Sequence, residues 1–587
     1  MLPLNTIKQS RKKFIVVLLL FAALLSDMMG TAKAQVLYGS LTGNVTDQSG
    51  AVVSGAKVEA LSVSTGYSIS TTTDARGGYT INNLQPGTYK VTVTAQSFKA
   101  LAQDNIKVDA NAVRRLDAQL QVGDVSEIVQ ITTTNEGLQT DRADVNTQLS
   151  KQQITELPIT SSSGRNFQAL YRIIPGFNGV TEGFTSDGGN PMRSIGGNVN
   201  GTSRQGNLTR IDGASNAYMW LPENTAYVPP AESVQSVNVV TNSYDAEQGN
   251  ATGAAVNVVT KSGTNQFHGS AFEYHTDNAL RALNRFTLPG QGQSKFIMNQ
   301  YGGSVGGPIK KNKLFFFTDW EGTKRRQFVN RTATVINPNG IFDAAGNADL
   351  SAAIPAGTDC NVTHAAGCVY DPNTGIGDIN GTGRMAFPGN IIPANRIDPA
   401  SKAVLGLINT SGFLSNAGVN ATNNYLSAGS ATLDRNTNDI KINYLPTSKS
   451  TLFGRYSIAR ALLFDPPLLG DAMGGATGGG QTGTAPSRIQ SVGLGGTYTI
   501  SPTMLVDINA GYSRLRLGAE YDPDLSRGNV GATLGIPGTN GTDRLAGGTP
   551  AFLFVPDTGN GSFWNGIGNI DTGNPFLFRD NQYVVNA

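Results

Sequence analysis

Residues 506–513 read Val506-Asp507-Ile508-Asn509-Ala510-Gly511-Tyr512-Ser513. Side chains alternate along an extended chain, so Val506, Ile508, Ala510 and Tyr512 share one face, and Asp507, Asn509, Gly511 and Ser513 the other. The pattern recurs. Val492, Leu494, Gly496, Tyr498 and Ile500 alternate with Ser491, Gly493, Gly495, Thr497 and Thr499. Leu452, Gly454, Tyr456 and Ile458 lie opposite Arg455 and Ser457, and Ile440, Ile442 and Tyr444 opposite Asp439, Lys441 and Asn443. One face suits lipid and the other a wet or plugged lumen, in runs near the ~9–11 residues of a membrane-crossing strand.

Loop lengths separate a membrane barrel from a soluble sheet, because outer-membrane barrels join strands by short periplasmic turns and long extracellular loops in strict alternation. Candidate strands fall near 266–276, 297–305, 313–323, 434–445, 451–460, 489–500, 504–516 and 576–585. The turns Gly306 to Asn312, Pro446 to Ser450 and Ser501-Pro502-Thr503 are short, and every other connection is long. A sandwich does not require that alternation.

Composition agrees. Of 587 residues 71 are glycine and only 15% are charged, which suits many strands and turns better than an average soluble enzyme. Hydrophobic residues at 39% and aromatics at 8% argue against disorder. The net charge of +2 provides no field to gather nucleic acid.

Lys8, Arg11, Lys12 and Lys13, the apolar run Phe14 to Leu25 and Ala32-Lys33-Ala34 give the basic, apolar and cleavage regions of a secretory signal over 1–34. The mature chain then begins near Gln35, outside the cytoplasm, and Cys360 and Cys368 are expected to form one local disulfide there.

Residues 36–122 hold six or seven short alternating runs divided by turn residues, the pattern of a small β-sandwich. Asp47, Gly50, Gly55-Ala56, Thr73-Asp74, Gly77, Tyr79, Leu84, Gly87, Tyr89, Val91 and Phe98 make this region resemble the carboxypeptidase regulatory-like domain. That resemblance implies a transthyretin-like sandwich, often described as carbohydrate-binding-like, without a catalytic group.

The linker 123–153 contains the β-prone hexamer Glu127-Ile128-Val129-Gln130-Ile131-Thr132, a segment suited to adding as a strand to a partner's sheet edge. Residues 154–263 mix helical and strand signals. Ile154 to Pro158, Gly164 to Leu170, Ile174-Pro175-Gly176, Ile211-Asp212-Gly213, Val237 to Val240 and Gly253 to Gly263 follow in an order similar to the plug of TonB-dependent outer-membrane transporters, the Oar-like group in particular. The continuation, Gly263 to Ser270 and Gly303 to Trp320, resembles the start of that group's barrel.

The expected fold is therefore mainly β: a transthyretin-like sandwich, an α+β plug, and over 264–587 an incomplete antiparallel transmembrane β-barrel. Plugged barrels carry about 22 strands, and the chain ends in Val585-Asn586-Ala587 without a closing aromatic residue, so the sequence reads as a fragment.

The resemblance implies that a ligand binds outside at plug and loops, and that the hexamer then becomes available to TonB and its inner-membrane energising complex. The sandwich would lie in the periplasm and the strands against outer-membrane lipid. Arg204, Tyr218, Trp220 and Tyr227 are candidate ligand contacts, carbohydrate being one candidate ligand, whereas Arg210 and Asp212 suit pinning the plug to the wall.

No enzyme, cofactor or metal site is expected. His268 and His275 are seven residues apart, on opposite faces of one strand, and no serine elbow or P-loop is present. Asp371 to Asn380 offers alternating oxygens but lacks the terminal glutamate of a calcium loop. The competing function is a structural or adhesion protein that binds glycans or neighbouring surfaces and transports nothing.

Overall fold

The computed structural model describes residues 37–586 except 111, 125–127, 132–142, 162–163, 183–191, 220, 245–250, 284–292, 366, 379–380, 415–422, 471–482, 502–503, 521, 553–565 and 569–574. The signal segment 1–34 lies outside the described residues.

Nine strands form the N-terminal unit: β1 (Gly39–Asp47), β2 (Lys57–Ser62), β3 (Ser68–Thr72), β4 (Gly78–Leu84), β5 (Gly87–Thr94), β6 (Ala100–Val108), β7 (Val113–Arg115), β8 (Ala118–Leu120) and β9 (Ile128–Ile131). One sheet runs β4-β1-β7 with β8 also on β1, and the other runs β3-β2-β5-β6-β9. Alternate residues such as Leu41, Val45, Tyr89, Val91 and Val93 point between the sheets into one apolar core. The expected sandwich is present, and its second sheet is extended by part of the hexamer.

Nine more strands carry the middle unit: β10 (Val145–Ser150), β11 (Thr160–Ser161), β12 (Gly164–Arg165), β13 (Phe177–Glu182), β14 (Ile195–Val199), β15 (Leu208–Ile211), β16 (Ala214–Ser215), β17 (Val234–Asn242) and β18 (Ala255–Thr260). The main sheet runs β10-β17-β18-β15-β16. Ser150 caps the short helix Lys151–Glu156 through a reciprocal box with Gln153.

The last unit contains β19 (His268–Asp277), β20 (Phe296–Lys310), β21 (Leu314–Ala333), the short ladder β22 (Ala348–Asp349) and β23 (Ile391–Ile392), then β24 (Tyr425–Thr447), β25 (Ser450–Asp465), β26 (Gly483–Ser501), β27 (Met504–Ala519) and β28 (Phe576–Asn586). All but β22 and β23 join in one antiparallel sheet of eight strands, each paired with the next in sequence. Among the described residues the sheet curves around the plug without closing, with β19 and β28 at its edges. Strands stand at all eight expected places, several running further toward the long loops.

That extension has a physical reason. Near the short turns the barrel pattern is apolar outside and polar inside: Ile440, Ile442, Val506 and Ile508 face out, while Lys441, Asn443, Asp507 and Asn509 face in. Beyond Tyr456 and Tyr512 the polarity inverts. Ala459, Ala461, Leu463, Ile489, Leu515 and Leu517 face in and pack on the plug, while Arg460, Arg488, Arg514 and Arg516 face out. Side chains still alternate, but the strands have passed from lipid into a polar layer. Among the described residues no helix is long and apolar enough to cross a membrane.

The sandwich docks on the short-turn end of the sheet. The Tyr67 hydroxyl donates to the Ser448 carbonyl at 2.7 Å, and its ring packs with Phe315 and Leu445. The Asn265 amide donates to the Ser64 carbonyl at 3.0 Å, and Thr451 Oγ1 donates to the buried Tyr38 hydroxyl at 3.2 Å. Tyr67→Phe keeps the ring and loses one hydrogen bond, so docking is expected to weaken by about 1 kcal/mol. Faster amide exchange at residues 64–66 with unchanged exchange in β2 and β5 would register that loss; unchanged exchange at 64–66 would deny the bond its role.

Candidate functional site: the seam between plug and barrel wall

Residues 211–214 make a two-residue hairpin turn, with Ile211 paired to Ala214 and positive φ at both Asp212 (46°) and Gly213 (76°). Asp-Gly is the pair such a turn selects, because aspartate tolerates and glycine readily adopts the left-handed region. The turn delivers the Asp212 carboxylate to the wall. It accepts from Thr260 N at 3.1 Å and Thr260 Oγ1 at 2.6 Å on its own sheet. From the wall, Lys441 Nζ of β24 donates to it at 2.9 Å, and Arg455 Nε of β25 stands 3.2 Å away in an ion pair. All three side chains are at most 7% exposed, so solvent does little to weaken the attraction.

Further contacts continue the seam. Tyr227 donates to Asp439 Oδ2 at 2.8 Å, and Ser457 donates to the other oxygen of that carboxylate. Arg193 pairs with Glu321 of β21 at 2.8 Å, both nearly inaccessible. The Arg165 backbone donates to Gln300 Oε1 of β20 at 2.8 Å, while its guanidinium reaches Glu232 at 3.4 Å and stacks over the Tyr274 ring at 4.2 Å. Above this polar tier, plug residues such as Phe167, Tyr171 and Val256 share an apolar core with Leu433, Ile489 and Leu517 of the wall. The plug is thus held by directional charge contacts at Asp212 near the short turns, and by further ion pairs together with apolar packing higher along the strands.

The residues singled out in the sequence fall in different places. Asp212 pins the plug, and Arg210 is buried beside it on β15. Tyr227 is buried against Asp439, and Tyr218 is buried with its ring 6.0 Å from Phe578 of β28. Arg204 occupies a half-buried 3₁₀ turn, Arg204–Gly206, and Trp220 lies outside the described residues.

Of the hexamer, Ile128, Val129, Gln130 and Ile131 form β9, while Glu127 and Thr132 lie outside the described residues. β9 runs parallel to β6, with Ala100 opposite Ile128 and Gln103 opposite Ile131, and Val129 packs on the sandwich core. The segment suited to strand addition is already an edge strand.

In the long loop between β21 and β24, Cys360 and Cys368 are joined as a disulfide with Cα atoms 5.6 Å apart. Both Asp371 oxygens are engaged by Arg396, whose guanidinium holds that carboxyl below the usual carboxylate range. Asp378 accepts from Thr382 N and Oγ1, so both carboxylates are occupied. Among the described residues no group of three acidic, His or Cys side chains could hold a metal ion.

Sequence reasoning marked Asp212 but missed Arg193, Glu321 and Asp439 as its companions. The available signal was the set of charges on inward faces of alternating strands, Asp439, Lys441 and Arg455, which a buried partner must answer.

Residues 259–587 match the family model described as outer membrane beta barrel domain, and residues 40–121 match the carboxypeptidase regulatory-like domain. The chain is 27% identical over 275 residues to the TonB-dependent transporter Oar of Myxococcus xanthus, covering 45% of this chain and 24% of that protein. Among solved structures, the ferric enterobactin receptor PfeA of Pseudomonas aeruginosa, a mutant in complex with enterobactin, aligns with TM-score 0.35 and 13% identity, over 64% of this chain and 41% of that one. The outer membrane transporter YddB of Escherichia coli aligns with TM-score 0.38 and 10% identity, over 64% and 40% respectively. The chain thus spans about a quarter of the curated relative and two-fifths of these structures.

Proposed function

The chain belongs to the outer membrane beta barrel domain family and resides in the outer membrane, and on that premise we propose that it serves TonB-dependent import. The observation that carries this reading is the seam. A separate domain built on a five-stranded sheet sits against the inward face of the barrel sheet, held to it by few, specific buried ion pairs. Such contacts fix a position yet release together once one is broken, which suits a plug that must move.

In this reading the ligand meets the plug region around Arg204 together with the long loops, with the buried Tyr218 and Tyr227 behind it; Trp220, a further candidate contact, lies outside the described residues. The hexamer Glu127 to Thr132 is the handle for TonB. Its edge position in the sandwich sheet supports the assignment, since among the described residues β9 pairs on one side only. TonB would add a strand to β9 or take β9 from β6, and either route transmits a pull to the linker that leads into β10. The sandwich, seated on the periplasmic rim, would be the first body to feel it.

The test uses the purified full chain and the periplasmic domain of TonB as probe. Deleting Glu127 to Thr132 is expected to weaken binding by about 1.4 kcal/mol or more, a tenfold loss, with the circular dichroism of the barrel unchanged. Equal binding with and without the hexamer would remove it as the handle.

A further inference from the structure

Arg460 of β25 stands directly opposite Arg488 of β26, Arg488 opposite Arg516 of β27, and Arg516 opposite Arg579 of β28. All four side chains are exposed on the outward face, and Arg514 joins them one outward position nearer the periplasm. Directly opposed like charges destabilise a sheet. The surroundings give no relief: the next outward row is Ile458, Gln490, Arg514 and Asn581, and no ion pair joins the four arginines to an acid among the described residues.

The position of the row indicates what answers this charge. Four residues nearer the periplasm the same strands align Tyr456, Val492, Tyr512 and Tyr583 across the outward face, with the last two rings 5.0 Å apart. Tyrosines in a row beside Leu494, Ile508 and Val585 mark the outer edge of the lipid-facing band. Four residues of tilted strand carry the arginines roughly 10 Å beyond those rings, toward the long loops, where the inward face has turned apolar. With strands about 4.8 Å apart, four guanidiniums extend over roughly 15 Å, and each is built to grip phosphate through paired N–H donors.

We propose that this row is a docking site for a phosphate-bearing lipid of the outer leaflet. Its phosphates bridge neighbouring guanidiniums, and its acyl chains lie down the band over Ile458, Val492 and Tyr512. The apolar band that begins two outward positions below the charges selects a lipid over free phosphate. The site concerns the outer wall of the barrel and is independent of ligand, plug and TonB.

The full chain in zwitterionic detergent, titrated with fluorescent lipid A that retains its phosphates, tests the proposal. The set R460Q/R488Q/R516Q/R579Q is expected to bind about tenfold more weakly, and Arg488→Gln alone about threefold, whereas the matching lysine set stays within about threefold of the parent. Dephosphorylated lipid A should bind the parent as weakly as lipid A binds the glutamine set, and inorganic phosphate should leave bound lipid A in place. Without lipid the glutamine set should melt no lower than the parent, because a repulsion has been removed. Equal binding by parent and glutamine set, displacement by inorganic phosphate, or a lower melting temperature for the lipid-free glutamine set would each overturn it.

Discussion

Replacing Asp212 by asparagine is expected to loosen the plug from the wall by about 3–5 kcal/mol, because it leaves two buried cations without their shared anion. Asparagine is the informative choice: it tolerates the positive φ of the turn and its remaining oxygen can still accept from the Thr260 amide, so the change removes the charge and one acceptor while keeping the turn. Lys441 and Arg455 would remain, 7% and 1% exposed, Lys441 keeping only the neutral Thr260 oxygens of the plug and Arg455 the Ser457 and Ser491 hydroxyls, with the Asp439 carboxylate reached through Ser457. Asp212→Ala should cost more, adding an unsatisfied Thr260 amide and alanine strain of about 1–2 kcal/mol at positive φ.

Hydrogen exchange of the full chain in detergent reads the effect directly. Amides of β15, β17 and β18 should exchange faster by roughly two to four orders of magnitude, while those of β1, β2 and β5 keep their protection. Raising the salt concentration should mimic little of this, since buried pairs are poorly screened. Replacing all three charges by apolar residues of similar volume should recover most of the loss, because deleting a whole buried cluster is often neutral. Unchanged exchange in Asp212→Asn would show that apolar packing alone retains the plug.

What the sequence made readable follows the range of the interactions. Strand identity on β24 to β27 was legible because an alternation such as Val506 to Ser513 is local and survives without knowledge of partners. Strand ends were not, because Arg514, Leu515, Arg516 and Leu517 still alternate but with polarity reversed, and a lipid-based template stops where the lipid stops. Asp212 was legible as a pin because Asp-Gly specifies its own turn. Its partners Lys441 and Arg455 were visible only as inward charges, since which of them meets Asp212 depends on register between segments more than 200 residues apart. Tyr218 and Tyr227 show the converse. An aromatic residue in a loop-rich segment has the same composition whether it meets ligand or wall, and only packing distinguishes the two. The hexamer's β propensity was plain, whereas its parallel partner β6 was not, because a parallel ladder is closed by distant chain.

Leu494→Arg is expected to destabilise the sheet in lipid by about 2–4 kcal/mol, the cost of a cation near the bilayer midplane on a barrel's outer face. Leu494 is 55% exposed on the outward face of β26, opposite Gly454 and Ala510, midway between the arginine row at Arg488 and the last outward residue, Ile500. On a soluble sheet an exposed leucine is a tolerant site, and the same change would fall within about 0.5 kcal/mol of zero. The size of the loss therefore decides between a membrane wall and a surface sheet with the same alternation. Depth supplies the internal control. Ile500→Arg, at the rim beside the short turn, should cost only about 0–1 kcal/mol, although it too is an exposed apolar residue on the same face of the same strand. Urea titrations of the three chains in lipid vesicles give the comparison, and equal losses at 494 and 500 would contradict a band that holds Leu494 inside the tyrosine row and ends at Ile500. The steep dependence on depth also explains why Arg488 is tolerated three outward positions away: there the strand has left the hydrocarbon, and a guanidinium meets headgroups.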